Sequence, residues 1–212
     1  MARSFGSVAF TPEVKKLQEQ HGSRRQYARM EEQGASQDGL TLMEMDFLKE
    51  RDSFYWATTG SNGWPYLQHR GGPKGFLKVV DEKTLAFADF AGNKQYITTG
   101  NLQTDDRVAM IFVDYPRQAR LKILGHARVL EGEEAVAWFA TNKDAGYPAR
   151  MERVFVIAIE AYDWNCPQHI TPRYTEQEIE RSMAPVRAKL EALEVENAKL
   201  REEAERLRKQ AS

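Results

Sequence analysis

Two glycine-rich stretches bring cations to the ends of apolar segments. In "LQHRGGPKGFLKV", residues 67 to 79, His69 and Arg70 close one run, and Gly71, Gly72 and Gly75 free the backbone around Lys74. Cations beside exposed backbone N–H groups can hold an anion such as phosphate. In "LAFADFAGNKQYITTGNL", residues 85 to 102, Gly92 turns the chain, and Asn93 and Lys94 open what reads as a helix. A helix start carrying these residues is a second seat for negative charge. Either stretch alone is better described as an ordinary turn with surface charge. Together they set cations at neighbouring strand ends, and Arg120, at the start of another strand, adds a third charge. That combination suits a phosphorylated planar ligand whose ring rests on apolar strand faces.

The elements that must position these loops follow from hydrophobic periodicity. "SFYWATT" and "WPYLQHR" flank "GSNG", where Asn62-Gly63 is a strong hairpin signal. "GFLKVV" and "TLAFADF" flank "DEK", a second hairpin. "DRVAMIFVDY" is a nearly continuous apolar run and predicts a strand covered on both faces. "RLKILGHARVL" alternates, with Leu121, Ile123, Ala127 and Val129 on one face, and Gly125 marks a bulge or a close backbone approach. "RVFVIAIEAYDW" is the last strand. Short helices are expected across "NKQYITTGNL" and "EEAVAWFATN". Hairpins with few helices and no βαβ alternation predict a small antiparallel barrel. No G-x-G-x-x-G and no Walker loop is present.

Three regions are expected: a helical segment over 1–50, the barrel over 51–174, and a helix over 175–212. In the first, Thr11-Pro12 starts a helix that Gly22 ends, "SRRQYARMEEQG" can form another, and "TLMEMDFLKER" has Thr41 and Glu44 as a capping box with Leu42, Met45 and Leu48 on one face. In the last, Met183, Val186, Leu190, Leu193, Asn197, Leu200, Ala204 and Leu207 alternate spacings of three and four. Placing Leu190, Asn197 and Ala204 at a and Leu193, Leu200 and Leu207 at d gives opposite-sign g–e pairs, Lys189 with Glu194, Glu196 with Arg201, and Glu203 with Arg208. A parallel coiled-coil dimer is the expectation, weighed against a solvated single helix held by its own charge pairs.

Between barrel and coil lies "DWNCPQHITPRYT", residues 163 to 175, whose Pro167 and Pro172 keep it irregular. Cys166 reads as a small buried packing residue rather than a redox thiol. As the sole cysteine it makes no intrachain disulfide, and His21, His69, His126 and His169 have no metal-ligand spacing. The formal net charge of -1 provides no global basic field for nucleic acid. No apolar run reaches the roughly 18–20 residues of a membrane span, and "MARSFGSVAF" has no signal-peptide apolar region. A soluble cytoplasmic protein is expected.

The sequence resembles the flavin-nucleotide-binding split-barrel proteins related to pyridoxamine 5′-phosphate oxidase. The residues that carry this are "GWPYLQHRGGPKGFLKV", "TLAFADFAGNKQYITTGNL", "DRVAMIFVDYPRQARLKILGHARVL" and "DWNCPQHITPRYT", roughly residues 45 to 175. The resemblance implies a six-stranded antiparallel split β-barrel that forms a homodimer, with FMN between the subunits. It implies that Arg70 closes the first phosphate-side strand and that Phe87 and Ala88 lie beside the flavin. Asn93 and Lys94 match an Arg-Lys pair on the phosphate, with asparagine in place of the arginine. Arg120 stands where the oxidases have a glutamine near the ring, and Trp164 matches a tryptophan reaching across from the partner. The segment after Trp164 would then lid a flavin bound mainly by the other chain. The oxidases' Arg-x-His falls here near Ile170 and Pro172, and their Tyr-x-x-x-Arg-x-x-x-Ser motif is reduced to Tyr147 and Arg150. These departures argue against pyridoxamine phosphate oxidation. The expected function is an FMN-dependent oxidoreductase on an unidentified small substrate, with no side chain assigned as acid or base. The alternatives are a non-catalytic flavin carrier or redox sensor, and a barrel that binds haem or a deazaflavin.

Overall fold

Strand-period alternation and well-capped helix starts account for most of the elements. A computed structural model describes residues 3–34, 39–142 and 147–211. The chain runs α1 (Phe5–Ala9), α2 (Pro12–Gln20), α3 (Arg24–Gly34), α4 (Leu42–Lys49), β1 (Ser53–Thr59), β2 (Pro65–Gly71), β3 (Leu77–Asp81), β4 (Thr84–Phe90), α5 (Ile97–Asn101), β5 (Arg107–Asp114), β6 (Ala119–Leu130), α6 (Gly132–Asn142), β7 (Met151–Asn165) and α7 (Glu176–Gln210). It divides into two units, Met1–Ile170 and Thr171–Ser212. The N-terminal helices share the first unit with the sheet.

All seven strands join one antiparallel sheet in the order β2-β1-β5-β6-β7-β4-β3. The expected count of six is therefore corrected to seven, because both predicted hairpins supply two full strands and three longer strands lie between them. The sheet curls on itself. Phe54 of β1 and Phe87 of β4 stand four places apart in strand order, yet their rings are 5.1 Å apart. Phe54, Trp56, Phe76, Phe87, Phe112 and Phe155 form a nearly dry aromatic centre, each 2% exposed or less. This is a split β-barrel, mainly antiparallel β with flanking helices.

Gly125 shows both features expected of it. The β6–β7 register shifts between Leu124 and Gly125, and a Cβ at Gly125 would lie 2.4 Å from the Ala158 carbonyl oxygen. Leu121, Ile123 and Ala127 enter the core, and Val129 packs against it. The Thr41–Glu44 capping box forms, but the buried face of α4 is Glu44, Phe47 and Leu48, and Leu42 stays exposed. Leu42 sits in the first turn, clear of the barrel.

The helix expected over "NKQYITTGNL" is only Ile97–Asn101, and it starts after Tyr96, which is left-handed at φ 52 and provides no side-chain cap. Asn93 and Lys94 therefore lie in the preceding loop rather than in a first helical turn. Cys166 is exposed, correcting the buried reading. The end of the first unit is anchored one turn later, where Gln118 Nε2 donates to the Ile170 carbonyl at 2.6 Å. Among the described residues, no helix is long and apolar enough to cross a membrane.

In the second unit, Thr175 and Glu178 form a capping box at the start of α7. This helix has no buried residue.

Candidate functional site

Alternation along β2 decides which of its side chains can meet a ligand. Tyr66, Gln68 and Arg70 turn to the half-buried face, whereas Pro65, Leu67 and His69 turn out. The inward three line a cavity of about 60 Å³ with Asp89 and Phe90 of β4, the loop residues Asn93, Lys94 and Tyr96, and Thr98 and Thr99. The cavity suits a phosphate group and is far too small for a tricyclic ring.

Arg70 is the central cation. Its guanidinium lies 5.5 Å from the Trp56 ring and 5.4 Å from the Phe155 ring. One of its terminal nitrogens is bonded to Asp89. Its Nε is buried and has no hydrogen-bond partner among the described residues. Asp89 also faces Arg153 Nε at 3.4 Å. Burial pushes the Asp89 carboxyl above the ordinary range, against the pull of the two guanidiniums. Arg153 donates to Thr99 Oγ1 at 3.0 Å and stacks 4.7 Å from the Tyr96 ring. Thr98 Oγ1 donates to Gln68 Oε1 at 2.9 Å, tying the loop to β2.

The loop itself is strained. Lys94 and Tyr96 both have positive φ, 59 and 52, although neither is glycine. Asn93 Oδ1 accepts from the Gln95 N–H at 3.2 Å and stabilises the turn. Lys94 is left exposed at the cavity rim.

Arg70, Asn93 and Lys94 are thus brought together as expected, and the other candidates go elsewhere. His69 faces outward and packs edge-on against Tyr55 at 5.3 Å. Gly71 and Lys74 follow the chain back to the end of α4. There Gly72 N–H donates to the Asp52 carbonyl at 2.9 Å, and Lys74 Nζ lies 3.7 Å from Glu50. The Phe87 ring is enclosed by Phe54, Trp56, Phe76 and Phe155 and serves the core. Ala88 takes the opposite face of β4, the face on which Ala86 packs with Ala135 of α6.

Arg120 and Trp164 lie at the far end of β6 and β7, where Arg120 pairs with Asn165. Trp164 is eleven residues along β7 from Arg153, roughly 36 Å along the strand at its usual rise. Its indole N–H donates to Glu44 Oε1 at 2.6 Å, and its ring meets Phe47 edge-on at 4.8 Å. Arg120 Nε, like Arg70 Nε, is buried without a partner among the described residues.

The sequence reading missed Tyr66, Gln68, Thr98, Asp89 and Arg153. Counting back by twos from Arg70 would have found the first two. Asp89 was signalled by a single charge inside the apolar run "LAFADF", and Arg153 by a charge at the head of "RVFVIAI".

A second cavity, of about 460 Å³, lies between the N-terminal helices and β6–β7. Phe5, Phe10 and Tyr27 form its apolar side, and Lys122, Asp163 and Asn165 its polar side. Lys122 pairs with Asp163 at 2.9 Å. Among the described residues, no group of three or more His, Cys, Asp and Glu side chains is placed to hold a metal ion.

Residues 40–166, more than half of the chain, match the family model described as pyridoxamine 5′-phosphate oxidase. The chain belongs to this family. The matched span takes in the whole barrel and both groups of candidate residues, and it leaves out α1–α3 and α7. Solved structures of similar fold include a Lactobacillus delbrueckii protein described as a candidate pyridoxamine 5′-phosphate oxidase. It is 22% identical over 60% of this chain and 96% of its own, with a TM-score of 0.47. HupZ of Group A Streptococcus is 19% identical over 64% of this chain and 100% of its own, with a TM-score of 0.45. An FMN-binding protein of Syntrophomonas wolfei is 10% identical over 70% of this chain and 97% of its own, with a TM-score of 0.42. No curated protein matches the chain.

Proposed function

We propose that the protein binds FMN between two copies of the chain and acts as an FMN-dependent oxidoreductase on a small substrate. One observation carries the reading. In a chain of the pyridoxamine 5′-phosphate oxidase family, Arg70, Asn93 and Lys94 line one phosphate-sized cavity.

The residues present fit the phosphate end of FMN. Arg70 and Lys94 supply two positive charges, and the exposed Asn93 supplies a hydrogen-bonding amide at the rim. Asp89, itself in the cavity wall, is ion-paired with the Arg70 guanidinium. The cavity cannot take the ring. A second copy, related by a twofold axis, would bring Arg120 and the Trp164 end of its β7 to the open side. Trp164 would contribute its ring edge only, because its N–H is committed to Glu44. Bound there, FMN would supply two-electron redox chemistry, and the chain would supply position and exclusion of water. The cavity beside Lys122 and Asn165 offers room for a small planar substrate next to the Arg120 end.

The test starts with the visible spectrum of the protein as purified, followed by release and identification of any chromophore. A flavin spectrum, or stoichiometric uptake of added FMN, supports the reading. A Soret band or a deazaflavin overturns the cofactor assignment. A folded, colourless protein that takes up no FMN overturns the site. Turnover with NADH or NADPH and an acceptor separates an enzyme from a flavin carrier.

A further inference from the structure

The strongest unpartnered surface of the molecule is the apolar stripe of α7. Along its 35 residues nothing is buried. Leu190, Leu193, Leu200 and Leu207 are 46–58% exposed. The stripe continues N-terminally through Val186, Met183 and Ile179, which are 41–56% exposed and keep the same three-four spacing. Pro185 falls on the outer side of this seam, and the helix runs through it. Leu190, Leu193 and Asn197, with Glu194, Ala198 and Arg201, bound a groove along the helix. Leu190, Leu193, Glu194 and Asn197 are successive a, d, e and a positions, the kind of hole that receives a knob from a facing helix.

We infer that α7 pairs with α7 of a second copy of this chain, as a parallel, in-register, two-stranded coiled coil. Charge complementarity selects this occupant. In that register Lys189 faces Glu194 of the second copy, Glu196 faces Arg201, and Glu203 faces Arg208, all of opposite sign. Asn197 selects the direction. In a parallel pair its amide meets the other Asn197 amide, whereas in an antiparallel pair it would face leucine and stay unpaired. A solitary helix has little to offset the exposed stripe. Ion pairs within α7 include Glu180 with Arg187, at 2.6 and 2.9 Å, and Glu203 with Arg206, at 3.8 Å. Both lie at the surface, where such pairs contribute little. This inference does not depend on a flavin.

The test uses the full chain with Cys166→Ser, which removes the only native thiol. Leu193→Cys and Leu200→Cys each place a thiol at d, and Val195→Cys places one on the outer face. After mild oxidation, non-reducing electrophoresis should show covalent dimer for the two d variants, formed at least tenfold faster than for Val195→Cys. Adding Glu196→Lys should slow the Leu193→Cys reaction severalfold, and adding Arg201→Glu to that variant should restore it. Equal rates at positions 193 and 195, or no linking at 193 and 200 in variants with native circular dichroism, would overturn the coil. A Glu196→Lys variant that links as fast as its parent would overturn the register.

Discussion

Asp89 sits between two guanidiniums, and its removal should change stability and binding in opposite directions. In Asp89→Asn, Arg70 and Arg153 lose a shared counterion in a site where all three side chains are 16% exposed or less. Breaking such a buried pair costs about 3 kcal/mol, readable as a lower urea midpoint. The same change releases Arg70, so FMN and inorganic phosphate should bind more tightly and recover part of the lost stability. Arg70→Ala and Lys94→Ala should each weaken FMN binding by about 10- to 100-fold, the value of a charge-assisted hydrogen bond. Fluorescence titration of the apoprotein measures both. If neither substitution changes affinity, the phosphate lies elsewhere.

His126 offers a separate check on local electrostatics. Its ring nitrogens lie 2.9 Å from Asp106 and 3.1 Å from Glu160. Arg3 also contacts Glu160, and Asp105 and Arg107 lie close by. The hydrogen bond to Asp106, with Glu160 assisting and burial opposing, raises the imidazole above its ordinary value. A raised folded pKa means that the protonated form stabilises the fold. That contribution is complete below about pH 6.5 and is lost as pH rises through the raised value. His126→Gln should therefore narrow the stability difference between pH 6 and pH 9, and an NMR titration of the wild-type ring should show its midpoint above the free value.

At the scale of elements, β6 and β7 share the longest paired stretch in the sheet, interrupted by a register shift between Leu124 and Gly125. Gly125→Ala would drive a methyl group into the Ala158 carbonyl, and overpacking of this kind costs about 1–3 kcal/mol. Chemical denaturation should show that loss with an unchanged m-value. Gly125 was legible in the sequence because a glycine that breaks strand alternation has few structural uses. The loop of Asn93 and Lys94 was legible as a cation-bearing turn, but its backbone was not. Two non-glycine residues with positive φ violate local preference, and only the surrounding contacts of Tyr96 with Arg153 and of Thr98 with Gln68 explain why they stay there. His69 lies on the other face of β2 from Arg70 for a simple reason. Adjacent residues of a strand point to opposite faces, so His69 and Arg70 cannot share one cavity.

At the scale of the whole molecule, the two groups of candidate residues stand at opposite ends of the barrel. In a twofold dimer each site would take Arg70 and Lys94 from one chain and Arg120 from the other. Co-expressing an Arg70→Ala chain with an Arg120→Ala chain should then restore about a quarter of the sites to wild-type affinity, since each mixed dimer has one intact site. Two populations in an FMN titration of the mixed sample would show it. A single weak population, with mixed dimers verified by mass, would place each site within one chain.

The sequence by itself determined the strands, the hairpin turns, the capped helix starts and the heptad seam of α7. Each of these depends on residues close together in the chain, where side-chain period and backbone preference act directly. It also brought Arg70, Asn93 and Lys94 into one reading, because two hairpins end with their cations on the same side of the sheet. Only the tertiary structure decided that Phe87 belongs to the core, that Lys74 goes to Glu50 and that Trp164 is held by Glu44 and Phe47. It also placed Asp89 between Arg70 and Arg153. Those outcomes depend on how the sheet curls and which strand ends meet, and that is set by packing between residues far apart in the sequence.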